Sequence, residues 1–306
     1  MNRDFLVGYT GFVGSNIASE HKFTGLYNSK NIAQAYGERP DLLVYSGVPA
    51  EMFLANQNPV ADRELILQAK RNIEKIAPNQ IVLISTIAVY PQTQGVDEDT
   101  QIDVANLPAY GANRYDLECW VKEHYTKHLI IRLPAIYGQN LKKNFIYDYI
   151  NFVPKLLKED KFIELSGREL LLANFYQRQD NGFYKCKDLN KSERVLLKDC
   201  FKRLGFSALN FTDSRSKYQF YWLKYLWRHI EVALANDLHC LNIATPPVEV
   251  RQLYYELTDC DFVNELNGKP FDYDMRTRYF ELFDGTDGYI MSKEKEIQDI
   301  KQFIEN

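Results

Sequence analysis

The sequence predicts an α/β fold built on a doubly wound parallel sheet, with a smaller and irregular C-terminal region. Three observations indicate this. An apolar strand near the N-terminus turns through glycines into a helix. Short apolar strands then alternate with amphipathic helices as far as about residue 140, which is typical of a parallel sheet with helices on both faces. After Gly138 the pattern becomes polar, aromatic and only partly periodic.

Composition and charge argue against several classes of protein. The 306 residues are 45% hydrophobic, enough for a real core, and a net charge of −4 gives no electrostatic case for binding nucleic acid or a membrane. The five cysteines are scattered without a Cys-x-x-Cys pair, so neither a metal site nor a disulfide framework is predicted. We find no signal peptide and no apolar run of about 18 residues, and we therefore expect a cytoplasmic protein.

The first predicted element is a strand followed by a glycine-rich turn and a helix. Phe5–Val7 is apolar and too short for a helix. A strand that turns on glycine into a helix N-terminus forms a seat for phosphate, as in the Rossmann dinucleotide-binding fold. The alternative is an ordinary glycine-rich turn. The predicted cofactor contacts in this loop are Gly8, which permits the tight turn, Thr10, Gly11, which lets a pyrophosphate approach, Phe12, Val13 and Gly14, which lets the helix pack closely.

The second strand, predicted over Phe23–Tyr27, ends in a polar segment that bears on cofactor choice. In a dinucleotide fold this strand end meets the adenosine ribose, and an acidic side chain there binds the 2′-hydroxyl of NAD. Here the strand is followed by Asn28, Ser29 and Lys30, without a carboxylate. Lys30 can meet a 2′-phosphate, so the sequence favours NADP(H) over NAD(H). A polar loop with a solvated lysine is the alternative.

The remaining elements of the first half follow in order. The third strand, Asp41–Tyr45, is followed by Ser46 and Gly47, which we predict to contact cofactor. A helix begins at Pro59 and ends before Pro78, with its apolar residues at helical spacing. The fourth strand, Gln80–Ile84, is almost wholly apolar, a helix follows from about Tyr115 to Tyr125, and Leu129–Ile131 is the fifth strand.

The second half is predicted to contain more helices and one strand. Leu241–Ala244 is predicted to add a strand to the same sheet. The predicted helices are Phe145–Leu157, Ser192–Leu204, Tyr218–Leu234, Pro247–Leu257 and Ser292–Ile304.

Two polar motifs indicate chemistry at the carboxyl edge of the sheet. Thr86 ends the fourth strand, where ligands of open α/β sheets bind. Tyr110 and Arg114 are four residues apart in the segment that opens the next helix, so they share one helical face. A cation beside a phenol lowers the tyrosine pKa, which lets the phenol exchange a proton with a sugar oxygen near neutral pH. Thr86 can hydrogen-bond the same oxygen.

The motifs together resemble the extended short-chain dehydrogenases/reductases, the group that includes UDP-galactose 4-epimerase, dTDP-4-dehydrorhamnose reductase and GDP-fucose synthase. The resemblance is strong over residues 1–140 and weak over residues 218–257. In order along the chain, the matching pieces are Gly8-x-x-Gly11-x-x-Gly14, Ser85-Thr86-x-x-Val89-Tyr90, Tyr110-Gly-x-x-Arg114 with Glu118, and Arg132-Leu-Pro134-x-x-Tyr137-Gly138.

This resemblance implies roles for the matched residues. Thr86 takes the place of the substrate-orienting hydroxyl and Tyr110 that of the general acid/base, while Pro134 would lie near the nicotinamide. The family has a lysine, which contacts the nicotinamide ribose, where this chain has Arg114. Arginine keeps the charge but is planar and bulkier. Dehydratases of the family carry an Asp-Glu pair where this chain has Ile87 and Ala88, so dehydration ranks lower.

The resemblance also implies a domain division and a dimer. Residues 1–140, with 218–247 returning to them, would form the Rossmann dinucleotide-binding domain. Residues 141–217 and 248–306 would form the substrate-binding region. The helices after Pro59 and Tyr115 would form a homodimer interface.

The function expected from the resemblance is an NAD(P)(H)-dependent reductase of a nucleotide-linked sugar in glycan or polysaccharide precursor synthesis. One alternative is an epimerase that retains NAD. Another is a non-catalytic regulatory protein that keeps the fold and the cofactor, suggested by Arg114. Besides Thr86, the predicted substrate contacts are Arg178, Arg215, Arg276, Arg278, Gln219 and Tyr221. The alternative for each of these six is an ordinary surface residue.

Overall fold

The structure is a computed structural model that describes residues 3–305. Contacts within the chain divide it into two compact units. The first contains the chain up to Leu141, Lys217–Glu249 and the chain from Phe271 onward. The second contains Lys142–Ser216 and Val250–Pro270.

Fifteen strands and ten α-helices are present within the described range. The strands are β1 (Asp4–Val7), β2 (Gly25–Tyr27), β3 (Leu42–Tyr45), β4 (Gln80–Thr86), β5 (Gln94–Val96), β6 (His128–Leu133), β7 (Ala135–Tyr137), β8 (Leu156–Lys158), β9 (Tyr176–Arg178), β10 (Phe183–Cys186), β11 (Lys217–Tyr218), β12 (Phe220–Trp222), β13 (Cys240–Asn242), β14 (Val248–Glu249) and β15 (Asp274–Met275). The helices are α1 (Phe12–Glu20), α2 (Met52–Gln57), α3 (Pro59–Ile76), α4 (Ala109–His124), α5 (Phe145–Asn151), α6 (Glu159–Arg168), α7 (Lys191–Leu204), α8 (Leu226–Ala235), α9 (Val250–Thr258) and α10 (Lys293–Glu305). Of the helices between residues 3 and 305, none is long and apolar enough to cross a bilayer.

The first unit is organised by a six-stranded parallel sheet. Its strand order is β13-β6-β4-β3-β1-β2, so the chain leaves β1 toward β2 on one side and then returns to build outward from β3 on the other. That reversal places a topological switch point between β1 and β3, where the carboxyl ends of the strands leave a crevice for a ligand. The doubly wound α/β fold predicted from the sequence is confirmed.

Alternating strand residues sort onto the two faces of this sheet. In β3, Leu42 and Val44 belong to the core that includes residues of α1 and α8, whereas Leu43 and Tyr45 belong to the core that includes residues of α3 and α4. Because both faces are covered, each central strand is apolar at successive positions, as the sequence of β4 indicates.

The register of the strands brings the predicted site positions to one edge of the sheet. Val7 pairs with Tyr45, Tyr45 pairs with Leu83, and Thr86 pairs with Leu133. Since the strands are parallel, the residues that follow them, including Ser46 and Pro134, lie at the same carboxyl edge.

The second unit has a core and a sheet of its own. The antiparallel strands β8, β10 and β9 pair in that order. The buried side chains that pack together include Phe162, Leu172, Leu197 and Phe201 from α6, α7 and the segment between them. Two neighbouring strands of this sheet, β9 and β10, are joined by a short turn.

Two predicted helices differ from the structure. The helix predicted to run to Leu157 ends at Asn151, because Val153 precedes Pro154 and a residue before proline disfavours helical geometry. The helix predicted from Tyr218 begins at Leu226 instead. The aromatic run before it forms β12, which pairs in parallel with β7.

The tail of the chain also differs from expectation. The sequence analysis groups residues 248–306 with the substrate-binding region, but the structure groups the chain from Phe271 with the sheet-containing unit. β15 pairs with β5 there, and Phe220 donates its backbone N–H to Glu296 of α10 at 2.7 Å. The substrate-binding role of either segment stays a prediction.

Candidate functional site

The glycine loop between β1 and α1 has the geometry of a phosphate seat. Gly8 has φ +94°, a conformation that side chains disfavour, and a β-carbon on Gly14 would lie 2.1 Å from the Gly8 carbonyl oxygen. Gly11 is exposed and forms the N-cap of α1 without a side chain, so the first-turn N–H groups remain for an anionic ligand. The residues present fit a dinucleotide pyrophosphate.

Other predicted cofactor positions surround this loop. Ser46 donates its backbone N–H to Val7 at 2.9 Å, and its carbonyl lies directly against Gly8. Gly47 and Thr10 are exposed, and Pro134 joins β6 to β7. Thr10, Ser46 and Gly47 lie beside the switch point, and Pro134 lies farther along the same carboxyl edge, at the end of β6.

The segment after β2 forms a compact polar turn. Asn28 accepts from the backbone N–H of Lys30 at 2.9 Å, and its own backbone N–H is bonded to Asn31 at 2.7 Å. Ser29 and Lys30 are exposed. The Asn28 oxygen is therefore used within the turn, while the Lys30 side chain remains available to a phosphate.

Thr86 and Tyr110 meet where β4 ends and α4 begins. Thr86 caps the 3-10 turn over Ile87–Val89 by accepting from the Ala88 N–H at 3.2 Å. Its hydroxyl lies close enough to the Tyr110 phenol to lower the pKa of that phenol. Tyr110 lies in the first turn of α4, and its backbone N–H is held by the Asn56 side chain at 2.9 Å. The structure thus brings together the two hydroxyls that the sequence predicts as a catalytic pair.

Arg114 is held in a tightly bonded position below Tyr110. Its Nη1 donates to Asp62 at 2.5 Å and to the Tyr110 carbonyl at 3.3 Å, while Nη2 donates to the Pro49 carbonyl at 2.7 Å. The guanidinium carbon lies 3.8 Å from the centre of the Tyr110 ring. Arg114 thus packs on the phenol, but its two terminal nitrogens are already bonded within the protein.

The sequence predicts that Arg114 lowers the pKa of Tyr110, and this prediction is wrong for the net direction of the shift. Burial raises the pKa of Tyr110 above its ordinary value of about 10. Arg114 and the Thr86 hydrogen bond lower that pKa only in part, and Asp62 raises it. The cation is visible in the local sequence, whereas the desolvation of the ring and the carboxylate beside the cation depend on tertiary packing.

Four other motif residues form a buried polar network behind the pair. Glu118 and Arg132 are 0% and 2% exposed and make an ion pair at 2.6 Å. Ser85 donates to Glu118 at 2.5 Å, and Arg132 donates to the Tyr90 hydroxyl at 2.6 Å. Through Asn242 this network also reaches β13. These residues tie β4, α4, β6 and β13 together and fix the strand end that carries Thr86.

The predicted phosphate-binding arginines of the first unit line a cavity. Arg276 and Arg278, with Asp97 and Thr277, border a space of about 650 Å³. Arg276 pairs with Asp274 at 3.3 Å, and Arg278 pairs with Asp99. Both arginine side chains are about half exposed.

The two predicted arginines of the second unit are occupied by carboxylates. Arg178 pairs with Glu159 at 3.2 Å on the surface. Arg215 pairs with Asp213 at 2.7 Å and with Glu265 at 2.9 Å, and the first contact holds the pKa of Asp213 well below its usual range. Any role in phosphate binding stays a prediction.

Gln219 and Tyr221 lie in the interior rather than on an accessible helix face. Gln219 is 1% exposed, and its amide bonds the Thr245 carbonyl and both backbone groups of Met275. Tyr221 is fully buried and bonds His229 at 2.8 Å. The structure corrects their expected position: as placed, these polar groups stabilise the fold and do not reach a ligand.

Sequence reasoning missed Asp62 and Asn16. Asp62 precedes Ile66 by four residues, so it falls on the apolar stripe of α3, and a charge on a buried face needs a partner. Asn16 is buried in α1, where its amide exchanges hydrogen bonds with the Gln139 backbone at 2.9 and 3.0 Å. It joins the glycine-loop helix to the segment after β7.

Comparisons with known proteins identify the fold. No family model and no curated protein sequence matches the chain, whereas many solved structures do. A dTDP-4-dehydrorhamnose reductase from Bacillus anthracis, in complex with NADP, is 15% identical with a TM-score of 0.64, over 100% of this chain and 98% of that one. The chain has the fold of that reductase.

Two further structures show the same likeness. A UDP-glucose 4-epimerase from Thermotoga maritima, with UDP-glucose, is 14% identical with a TM-score of 0.62, over 99% of this chain and 97% of that one. The Bordetella bronchiseptica enzyme WbmG, in complex with NAD and UDP, is 10% identical with a TM-score of 0.62, over 99% and 93%. At such identity the likeness establishes the fold.

Proposed function

We propose that the chain is a nicotinamide-dependent oxidoreductase that reduces a keto group of a nucleotide-linked sugar. The observation that carries this proposal is the pair of hydroxyls on Thr86 and Tyr110 at the same sheet edge as the glycine loop. β4, β3 and β1 are neighbours, so the strand that carries Thr86 lies two strand spacings, about 10 Å, from the strand that precedes Gly8. The likeness to structures that contain NADP or UDP-glucose supports this choice of cofactor and substrate.

In this mechanism the chain's residues bind, orient and protonate. A bound nicotinamide dinucleotide supplies hydride-transfer chemistry. Gly11 and the N-terminus of α1 hold the pyrophosphate, the Thr86 hydroxyl orients the sugar oxygen, and the Tyr110 hydroxyl gives that oxygen a proton. The buried Glu118–Arg132 pair keeps the end of β4 in place.

The finer parts of the proposal rest on fewer residues. NADP(H) is favoured because β2 ends without a carboxylate and Lys30 is exposed beside it. Cytoplasmic location, a homodimer and a role in glycan precursor synthesis stay predictions.

A second candidate function is supported by the state of Arg114. Its terminal nitrogens bond Asp62, Pro49 and Tyr110, so they do not replace the ribose contacts of the family lysine without rearrangement. A cofactor-binding protein without turnover is consistent with that arrangement. An epimerase with retained NAD is supported only by the likeness to epimerase structures.

The test is reduction of nucleotide-linked keto-sugars with NADPH by the purified protein and two variants. Tyr110→Phe removes the proton donor and is expected to lose about 10²- to 10⁴-fold in rate. Tyr125→Phe is the control, because Tyr125 follows the other end of α4 and its hydroxyl bonds only a helix carbonyl, at 3.3 Å. Activity retained by Tyr110→Phe would overturn the mechanism, and NADPH binding without reduction of any keto-sugar would favour the non-catalytic protein.

A further inference from the structure

Asp62 and Arg114 form a buried ion pair that the matched motifs do not include. Asp62 is 4% exposed and Arg114 5%. The Asp62 carboxylate accepts from Arg114 at 2.5 Å and from the Asn113 amide at 2.8 Å. Since a buried charge requires an opposite partner, the two side chains act as one unit.

This pair lies directly beneath the phenol that is proposed to move a proton. Arg114 stacks on the Tyr110 ring at 3.8 Å, and its bond to Pro49 fixes it from the other side. The groups that face Tyr110 are Thr86 at the end of β4, Asp62 on α3 and Arg114 on α4, while Asn56 of α2 holds its backbone. The Arg114 charge lowers the Tyr110 pKa, and the Asp62 carboxylate opposes that effect in part.

We propose that Asp62 is a positioning residue whose carboxylate holds Arg114 against the Tyr110 ring and offsets part of its charge, so that Tyr110 stays protonated as a proton donor. This inference rests on the proposed function and deepens the role of its proton donor. Burial of the ring acts in the same sense, because a dry environment disfavours a phenolate.

Reduction starts from the protonated form of Tyr110, as the proton balance shows. In reduction, a hydrogen with two electrons passes from a reduced nicotinamide dinucleotide to the carbonyl carbon. The C=O π pair moves to oxygen, and that oxygen takes the proton of Tyr110, which regains one from water. Oxidation, and an epimerisation that begins with oxidation, needs a Tyr110 that has already lost its proton.

The experiment titrates Tyr110 by NMR in cofactor-free protein carrying tyrosine labelled with ¹³C at the hydroxyl-bearing ring carbon. Tyr110→Phe assigns the signal. Asp62→Asn keeps a hydrogen-bond acceptor but removes the charge, and it is expected to lower the Tyr110 pKa. Asp116→Asn is the matched control, since Asp116 of α4 pairs with Lys70 of α3 at 2.8 Å on the exposed side of the same helices. It is expected to leave Tyr110 unchanged.

Two results overturn the inference. An unchanged or raised Tyr110 pKa in Asp62→Asn means that the carboxylate does not act by neutralising Arg114. Ionisation of wild-type Tyr110 below its ordinary value near 10 refutes the protonated phenol without any variant, should Asp62→Asn fail to fold.

The titration needs no cofactor, so its failure is distinct from failure of the proposed function. If Tyr110 behaves as expected but no nicotinamide dinucleotide binds, the function is overturned and the charge-neutralising role stands.

Discussion

Gly111 lies where α4 crosses the 3-10 turn that follows β4, immediately after the proposed proton donor. A β-carbon at this position would lie 2.1 Å from the carbonyl oxygen and 3.1 Å from the carbonyl carbon of Ala88, and both of these atoms belong to the backbone. Contacts under 3.0 Å essentially do not occur for a β-carbon, so Gly111→Ala forces α4 and the turn apart by about 0.9 Å. Because Thr86 caps that turn and Tyr110 precedes Gly111, the shift separates the two hydroxyls.

The magnitude follows from that displacement. Misplacement of a reacting group by about 1 Å can cost roughly 100-fold in rate, so we expect a loss of that order in kcat/KM for keto-sugar reduction. Overpacking costs about 1–3 kcal/mol, and the higher helix propensity of alanine returns about 1 kcal/mol. We therefore expect a net loss of up to about 2 kcal/mol in the free energy of unfolding.

The assay compares Gly111→Ala with Gly167→Ala by urea unfolding and steady-state kinetics. Gly167 lies in α6, and a β-carbon there would meet nothing within 4 Å. The control variant is expected to gain up to about 1 kcal/mol and keep its activity. If Gly111→Ala were as stable and as active as Gly167→Ala, the close packing of α4 on the turn would not position Tyr110, and the reasoning would be refuted.

Three further predictions concern the network, the second unit and the cofactor. Glu118→Ala leaves the buried Arg132 charge unpaired and should cost about 3–5 kcal/mol in urea unfolding; a loss below 1 kcal/mol would contradict the buried pair. Burial raises the pKa of Asp148 to about 7, so the folded state keeps a proton that the unfolded chain loses near pH 4, and wild-type stability falls as pH rises from about 4 to 7. Between those pH values the free energy of unfolding of Asp148→Asn should therefore rise by on the order of 4 kcal/mol relative to that of wild type. If thermal unfolding showed a difference between the two proteins that does not change with pH, this prediction would be wrong. Lys30→Ala should weaken NADPH binding roughly tenfold and leave NADH unchanged in fluorescence titration; equal effects on both would remove the case for a 2′-phosphate contact.

The parts of the site that could be predicted are those carried by local patterns. The strand before Gly8, the glycine spacing and the hydroxyl of Thr86 at a strand end follow from short segments, and the structure places them at one edge of the sheet. Tyr110 and Arg114 share a helix face because their spacing is helical. Each of these inferences needed fewer than ten consecutive residues.

Long-range contacts explain what could not be predicted. Arg114 is bonded to a carboxylate 52 residues earlier, and no local pattern shows which acidic residue packs there. The strand β15 has two residues, which is too short for an alternation of apolar and polar side chains to be recognised. The sequence therefore does not predict that the chain returns to the first unit at Phe271. Gln219 was expected on a helix because the aromatic run around it fits either period. In the structure Gln219 lies between β11 and β12, and the run after it forms β12, which pairs with β7.

Direct binding of NADPH and NADH to the purified protein tests the central claim, that the glycine loop is a working dinucleotide site. Gly14→Ala is the matched variant, since its β-carbon would lie 2.1 Å from the Gly8 carbonyl, and Gly167→Ala is the control. We predict that wild type and Gly167→Ala bind NADPH exchangeably and more tightly than NADH, and that Gly14→Ala loses this binding. Failure of the folded wild-type protein to bind either dinucleotide would contradict the proposed function.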